Sequence, residues 1–395
     1  MNNLSYQSYS FSQLLITVVL MLLIIGTVSI YSASYAIGYL EYQDSYFFLK
    51  RHLIYTGLGL SSMYIFSKFD YRLLARLSPL IMILAVILLF LTIEPHTSME
   101  INGAKRWVKI PFIPSFQPSE LSKLAIIIYI SAWLSSRSDK DIESLPALIS
   151  FIITIGSVGF LIMLEPDLGT TLLIAAVTGS IFFVAGAKLS HIIALCISSL
   201  VSLIMLIAVK GYGLTRIMSF LSAESDPSGA GYQTIQLLIA FGSGGLTGLG
   251  LGSSRQKFFY LPASHSDGIL AVIGEELGFI GVFLVIILFL VLAWQGLKIA
   301  NKASDEFGSL LATGISLMII FQVLLNVGGI SRSIPLTGIP LPMISSGGTS
   351  TIMTLTAIGI LLSIDKKIKR NDKKRKNIII NNIHSNSQKA PRRKK

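Results

Sequence analysis

Ten apolar segments, each close to the length that a helix needs to cross a lipid bilayer, constrain this chain more than any other feature of its sequence. A helix crosses the hydrocarbon layer with about 20 mainly apolar residues. Polar turns separate the segments, and one long connection covers residues 210–266. We therefore predict an all-α, polytopic membrane protein. The predicted spans are 12–32, 52–67, 73–93, 118–135, 145–164, 169–186, 189–209, 267–296, 308–327 and 345–364.

Composition excludes a soluble globule of this length. Hydrophobic residues make up 52% of the chain and charged residues 13%, whereas soluble domains carry about 25% charged residues. The formal charge of +12 does not indicate nucleic acid, because much of the excess follows Ser363 in a basic tail beside the last apolar segment. That tail is a solvated stop-transfer segment in the simpler interpretation, and a contact for anionic lipid heads in the alternative.

The basic residues also orient the chain. With the N-terminus in the cytoplasm, the inner connections carry Lys68, Arg72, Arg137, Lys188 and Lys298, as the positive-inside rule expects. Ten spans then return the tail to the cytoplasm. We predict a cytoplasmic N-terminus (1–11), a single membrane domain (12–365) and a basic, disordered cytoplasmic tail (366–395).

The outer connection 210–266 is glycine-rich and apolar over much of its length, which is unusual for a free loop. Irregular backbone at membrane depth must be buried in protein or line a wet cavity. We expect this segment to re-enter the membrane or to lie on it.

Ionisable residues inside or beside membrane spans are costly and are therefore candidates for function. Glu120 and Lys123 are three residues apart and share a helix face, either as a structural ion pair or as the lining of a cavity that opens outward. Asp167 lies in the short turn Glu165-Pro166-Asp167, where capping of the next helix is the favoured interpretation.

A third group of ionisable residues lies at the start of the eighth span. Asp267 is at its outer mouth, and Glu275 lies about 12 Å deeper along the helix. A carboxylate at a water–lipid boundary can have a raised pKa, which suits a general acid or base. Since packing alone hardly explains three acids, including Glu276, on one helix, we favour a functional role. His265 is a candidate partner, metal ligand or helix cap.

Two further features complete the outer face. Residues 335–350 alternate proline and glycine before the last span, and they either line a cavity or allow close helix packing. Several basic residues also fall in outer segments, where they could hold a diphosphate. These are Lys105, Arg106, Arg216, Arg255, Lys257 and Arg332. The residues indicate an outward-opening polar site for an anionic, lipid-borne ligand, without naming a reaction.

The motifs at these positions resemble those of the SEDS family (shape, elongation, division and sporulation). The resemblance runs from about residue 12 to residue 365. Residues 250–262 and 273–278 are closer to the division branch, and residues 336–342 lean towards the elongation branch. The other matching motifs are Asn102–Trp107, Phe116–Glu120, Glu165–Thr170, Gly231–Gln233 and Pro340–Ser350.

The resemblance implies a peptidoglycan glycosyltransferase of the bacterial cytoplasmic membrane. Such proteins polymerise lipid II into a nascent glycan strand at the outer face, together with a class B penicillin-binding protein and other division or elongation proteins. Asp267 matches the family's essential aspartate, and Glu120 and Trp107 match two further important positions. Ala263 stands where the family often has an acid, and Ser266 stands where it has threonine.

The implied mechanism assigns Asp267 as the general base. The basic residues named above, with Lys123, would hold the diphosphate, and Mg²⁺ or Mn²⁺ is a candidate cofactor. Glu120 would orient Lys123 or the substrate. A lipid flippase and a non-catalytic scaffold for the penicillin-binding protein are the alternatives.

Overall fold

A computed structural model describes most of the chain, in twelve helices and one short hairpin. The described residues are 11–94, 98–101, 104–108, 116–210, 220–223, 229, 231–258 and 260–389. The elements are α1 (Phe11–Tyr42), α2 (Phe47–Lys68), α3 (Arg72–Ile93), β1 (Ser98–Ile101), β2 (Ala104–Val108), α4 (Pro118–Ser135), α5 (Asp139–Ile142), α6 (Leu145–Leu164), α7 (Leu168–Val184), α8 (Leu189–Lys210), α9 (Tyr232–Ser243), α10 (Ile269–Lys302), α11 (Glu306–Ile330) and α12 (Gly348–Lys389).

Each of the ten predicted spans coincides with one of these helices, which confirms the all-α polytopic prediction. Among the described residues, six helices are long and apolar enough to cross a membrane, namely α1, α3, α6, α10, α11 and α12. Helices α7 and α8 supply shorter apolar stretches. Helix α4 carries Glu120 and Lys123, and almost its whole surface is buried by other helices. Protein therefore replaces lipid as the surroundings of its charged residues.

Helix α11 packs against α10, α7 and α4. Helix α2 packs along α12, α10 packs against α11, and α3 packs against α4. Close approach at the N-terminal end of α12 depends on Gly348, because a Cβ atom there would lie 2.4 Å from the ring of Tyr55 on α2. In the irregular segment before this end, Ile339 and residues 341–345 are buried and the other residues are partly exposed.

Helix α10 is broken at Gly278, whose φ of 67° and ψ of −167° are not helical. A glycine-rich turn after α9 fills the break. The amides of Leu249 and Gly250 donate to the carbonyls of Glu275 (2.9 Å) and Glu276 (3.0 Å). A Cβ atom on Gly248 would lie 2.2 Å from the Glu276 carbonyl oxygen, so only glycine fits. Residues 244–250 of the glycine-rich connection thus pack into the break of α10.

The basic tail differs from the prediction. Helix α12 continues to Lys389, so residues 366–389 are helical where disorder was expected. Once a helix is nucleated, each added residue costs little, and the lysines and arginines of this segment are good helix formers.

Candidate functional site

Asp267 lies in the tight turn that leads into α10. The hydroxyl of Ser266 donates to its Oδ1 at 3.0 Å, and the amide of Gly268 closes the turn on Ala263. The side chain of Asp267 is partly exposed. The serine that replaces the family's threonine therefore still supplies a hydroxyl to the aspartate.

Asn326 on α11 fixes the backbone of this turn. Its buried amide nitrogen donates to the carbonyl of Asp267 at 3.0 Å and to the carbonyl of Ile339 at 2.9 Å. The amide of Ser346 donates to the carbonyl of His265 at 3.0 Å. The predicted proline- and glycine-rich segment thus lies against the Asp267 turn and holds it on two sides.

Glu120 and Lys123 form the ion pair that their spacing predicts. The Lys123 Nζ lies 2.8 Å from Oε2 of Glu120, and both side chains are about 4% exposed. Lys123 also donates to Gln322 at 3.4 Å, and Gln322 donates to the carbonyl of Pro340 at 3.0 Å. Because Gln322 and Asn326 are one turn apart on α11, one helix face connects this ion pair with the Asp267 turn.

Glu275 and Glu276 hold the loop that precedes the Asp267 turn. Glu275 accepts hydrogen bonds from the Ser254 hydroxyl at 2.5 Å and from the Arg255 amide at 2.9 Å. Glu276 accepts from Ser32 on α1 and pairs with Lys257 at 2.8 Å. Both carboxylates are buried, so their role is to anchor this loop to α10.

Lys257 is not available to a diphosphate, and its predicted role is wrong. The side chain is about 1% exposed and paired with Glu276. Its ammonium also lies 5.4 Å from the centre of the Tyr35 ring and 5.8 Å from that of Phe258. An ammonium enclosed by a carboxylate and two aromatic faces has no open side for a ligand.

Arg106 fastens the β1–β2 hairpin to the turn between α6 and α7. Its guanidinium donates to the carbonyls of Glu165 and Pro166 and lies 4.0 Å from Oδ2 of Asp167. Asp167 caps α7 by accepting from the Thr170 amide at 3.1 Å and from its hydroxyl at 2.9 Å. The capping interpretation of Asp167 is confirmed, and the guanidinium of Arg106 is engaged by protein.

Glu165 is buried in the same turn. Burial raises the pKa of its carboxyl to about 8, although a hydrogen bond from Thr92 works in the opposite direction. One carboxyl oxygen, Oε2, has no hydrogen-bond partner among the described residues. Burial therefore favours the protonated form of Glu165, a property that the sequence motif does not reveal.

His265 lies beside the aspartate turn but faces an aromatic ring. Its ring centre is 4.4 Å from that of Phe48, and burial lowers the pKa of its imidazole to about 4. Its Nδ1 has no hydrogen-bond partner within the described part of the chain. A neutral, packed imidazole suits positioning of the turn better than proton transfer.

The other predicted cations differ in placement. Arg332, just after α11, donates to the carbonyl of Phe220 at 2.9 Å and so ties the outer connection to the helix. The side chain of Arg255 is exposed. Trp107 lies on β2 opposite Met99. Arg216 and the side chain of Lys105 lie outside the described residues.

No group of three or more histidine, cysteine, aspartate or glutamate residues that could hold a metal ion occurs among the described residues. Mg²⁺ commonly binds through one or two carboxylates together with substrate phosphates and water. Asp267 could supply the single protein carboxylate that such a coordination shell needs. A divalent cation therefore fits this site only together with a bound diphosphate that supplies further ligands.

A large apolar cavity of about 510 Å³ lies between α6, α7 and α8. Its lining includes Leu168, the residue after Asp167, and its wall continues to Met205 on α8. The cavity suits a hydrocarbon chain rather than a charged group. None of the ionisable candidates lines this cavity, so we assign the chemistry to the Asp267 turn.

Sequence reasoning missed Asn326, Gln322 and Ser32, which connect the site to the helices around it. A signal was present, because Gln322 and Asn326 are amides four residues apart in an otherwise apolar span. Polar side chains at that spacing share one helix face and need partners in the membrane.

Comparison with known proteins identifies the family of this chain. Residues 12–370 match the family model FTSW_RODA_SPOVE, described as "Cell cycle protein". Stage V sporulation protein E of Bacillus subtilis is 41% identical, over 89% of this chain and 96% of its own length. A protein of Trichlorobacter lovleyi, named "Probable peptidoglycan glycosyltransferase FtsW", is 37% identical over 90% of this chain and 93% of its own length.

Two solved structures share the fold. One is a chain described under "Structural coordination of polymerization and crosslinking by a peptidoglycan synthase complex", with a TM-score of 0.74, 26% identity, and coverage of 92% of this chain and 99% of that one. The other is the Rod shape determining protein RodA of Thermus thermophilus, with a TM-score of 0.66, 26% identity, and coverage of 91% and 98%. Together with the motifs around Asp267, these matches show that the chain belongs to the FtsW/RodA/SpoVE family of cell cycle proteins, which is the SEDS family.

Proposed function

We propose that this protein is a peptidoglycan glycosyltransferase that polymerises lipid II at the outer face of the bacterial cytoplasmic membrane. The observation that supports this most is the intact Asp267 turn, which Asn326 and the segment 338–346 hold in place. Relatives named as probable peptidoglycan glycosyltransferases cover nearly the whole chain. Division or elongation of the cell wall is the process this activity would serve.

The reaction needs one base and one stabilised leaving group. The 4-hydroxyl of the acceptor sugar attacks the anomeric carbon of the donor, and the bond from that carbon to the diphosphate oxygen breaks. The hydroxyl proton passes to the carboxylate of Asp267, and undecaprenyl diphosphate leaves with both electrons of the broken bond. Attack on the face opposite the diphosphate inverts the configuration of the anomeric carbon, so an α-linked diphosphate gives a β-1,4 glycosidic bond. Such base assistance contributes about 10²–10⁴-fold to the rate.

The leaving diphosphate needs cations. Arg255 is exposed next to the loop that leads to Asp267, and we propose it as a contact for the diphosphate. Its guanidinium offers the paired donors that suit phosphate oxygens. Glu120 and Lys123 support the floor of the site through Gln322, rather than touching the leaving group.

The partners follow from the family. A class B penicillin-binding protein would cross-link the peptides of the new strand, which agrees with the likeness to a chain of a peptidoglycan synthase complex. We further propose that both termini are cytoplasmic, because the basic tail and the inner turns then lie on the side that the positive-inside rule favours. The multi-pass membrane location itself is shown by the fold and the family.

The test compares Asp267→Asn with wild type in an assay of purified protein, its partner transpeptidase and labelled lipid II. Asparagine keeps the size of the side chain but cannot accept the proton, so glycan polymer should fall at least 100-fold. Asp44→Asn is the matched control, because Asp44 is a partly exposed carboxylate paired with Lys50 at 2.7 Å.

Wild-type polymer from Asp267→Asn would overturn the assignment of the base. Transfer of lipid II between leaflets without any polymer, by the wild-type protein, would indicate a flippase. Neither activity would indicate a scaffold for the penicillin-binding protein. Equal losses in the two variants would show that the Asp267 effect is not specific to the site.

A further inference from the structure

A basic cavity of about 110 Å³ lies at the opposite end of the molecule from Asp267. It is enclosed by the end of α2, the turn into α3 and the first charged turn of α12. The residues around it include the cations Lys68, Lys366, Lys367 and Arg370 and one acid, Asp70. The excess of positive charge predicts an anionic ligand.

The contacts that hold the walls of this cavity together leave three of its four cations without an ion pair in the described part of the chain. The hydroxyl of Ser363 donates to the carbonyl of Phe69 at 2.5 Å, and Lys367 pairs with Asp70 at 3.4 Å. These contacts join α12 to the α2–α3 turn. Lys68, Lys366 and Arg370, which are exposed, form no ion pair among the described residues. The ammonium of Lys68 lies 5.1 Å from the centre of the Tyr64 ring, whereas Lys366 and Arg370 are left for a ligand.

The surroundings indicate which anion binds. Ile65 and Tyr64, one turn before the end of α2, are 61% and 64% exposed and belong to the lipid-facing surface. A ligand whose charged group occupies the cavity would place an attached hydrocarbon chain along these side chains. Basic pockets between membrane helices on the cytoplasmic side are known to hold anionic lipid heads.

We propose that this cavity binds the phosphate head of an anionic phospholipid from the cytoplasmic leaflet. Arg370 would contact two phosphate oxygens with its paired N–H groups, and Lys366 would add a point charge. The volume equals that of about three or four liquid waters, which accommodates one phosphate group. The bound head would bridge α2 and α12. The choice of leaflet rests on the orientation proposed above, whereas the site itself does not depend on the enzymatic activity.

The test measures binding of phosphatidylglycerol to the full-length protein by native mass spectrometry, with phosphatidylcholine as the neutral reference. The double variant Lys366→Gln/Arg370→Gln should bind phosphatidylglycerol at least about tenfold more weakly, since each basic residue near a lipid surface contributes on the order of a factor of five. Lys373→Gln/Lys374→Gln is the control, because it removes the same charge from exposed positions further along α12. It should change the affinity less than about twofold.

Equal weakening in the two double variants would overturn the proposal in favour of diffuse attraction by the tail. Equal affinity of the wild-type protein for the two lipids would overturn it as well. Full displacement of the lipid by excess inorganic phosphate would show a site for free phosphate instead. Because no lipid II is used, failure here leaves the proposed polymerase untouched, and a failed polymerase assay leaves this site untouched.

Discussion

The buried pair of Lys257 and Glu276 gives the sharpest test of the structure, because its two residues are 19 positions apart and meet only in the folded protein. Replacing Lys257 by methionine keeps most of the side-chain volume but leaves the Glu276 carboxylate buried without its cation. Loss of one partner of a buried pair costs about 3–5 kcal/mol. Since the hydroxyl of Ser32 still donates to Glu276 at 2.7 Å, we expect the lower end, about 3 kcal/mol.

The assay is thermal unfolding of the purified protein in one detergent at one scan rate, because membrane proteins commonly unfold irreversibly. A loss of 1 kcal/mol lowers the melting temperature by about 2–4 °C in domains of 150–250 residues, and by less in longer chains. We therefore expect a fall of about 3–6 °C for Lys257→Met. The double variant Lys257→Met/Glu276→Gln should recover at least half of it, because glutamine keeps the hydrogen bonds without the charge.

Lys50→Met is the matched control, since Lys50 pairs with Asp44 at 2.7 Å, close to the 2.8 Å of the buried pair, but its side chain is open to solvent. Exposed pairs contribute little to stability, so its melting temperature should stay at the wild-type value. An unchanged melting temperature for Lys257→Met would refute the buried pair. A double variant no more stable than the single one would refute the charge explanation and leave lost packing as the cause.

Three further predictions concern the site and the helix break. Asn326→Leu should lower the rate of polymerisation at least about tenfold with little change in the KM for lipid II. The substitution leaves the backbone carbonyl of Asp267 without its hydrogen bond, at a cost of about 1–3 kcal/mol. An unchanged rate would exclude a role for Asn326 in positioning Asp267. The pKa of Glu165 is raised to about 8 in the folded protein. Between about pH 4.5 and 8 the folded state therefore keeps a proton that the unfolded state has lost, so stability falls as pH rises through this range. The melting temperature of Glu165→Gln should depend less on pH across the same range. Gly278→Ala should lower the melting temperature strongly, because an alanine there would need a φ of +67° and its Cβ atom would lie 2.4 Å from the Gly248 amide nitrogen. Gly57→Ala on α2 is the control: its Cβ atom would meet no atom within 4 Å, so its melting temperature should stay close to that of the wild type.

Much of the fold could be predicted because its signals are local. A run of apolar residues with helical backbone hydrogen bonds is defined by neighbours in sequence, so the ten segments were located to within a few residues at most ends. The exceptions are the ends at charged turns. Helix α1 runs to Tyr42 rather than to residue 32, and α12 runs to Lys389 rather than to 364, since a helix can continue into polar surroundings without an apolar signal.

The site was predictable only in part. The motif identified Asp267, and the spacing of Glu120 and Lys123 predicted their ion pair. The group of outer cations was treated as one diphosphate-binding set, and the structure divides it. Lys257 is paired with Glu276, Arg106 holds the α6–α7 turn, and Arg332 holds Phe220. The two buried amides on α11 that organise the turn were not selected, although their spacing was visible.

The sequence by itself determined that this chain is a multi-pass helical membrane protein, which side its charges favour, and which aspartate the family's motif marks. Each of these depends on residues that are close together in the chain. Only the tertiary structure decided which charged groups neutralise one another and which remain for a ligand. A lysine has the same neighbours in sequence whether it faces a phosphate or a buried carboxylate 19 residues away. Which of the two Lys257 contacts is decided by tertiary packing, because α1 and α10 bring Ser32 and Glu276 to its ammonium.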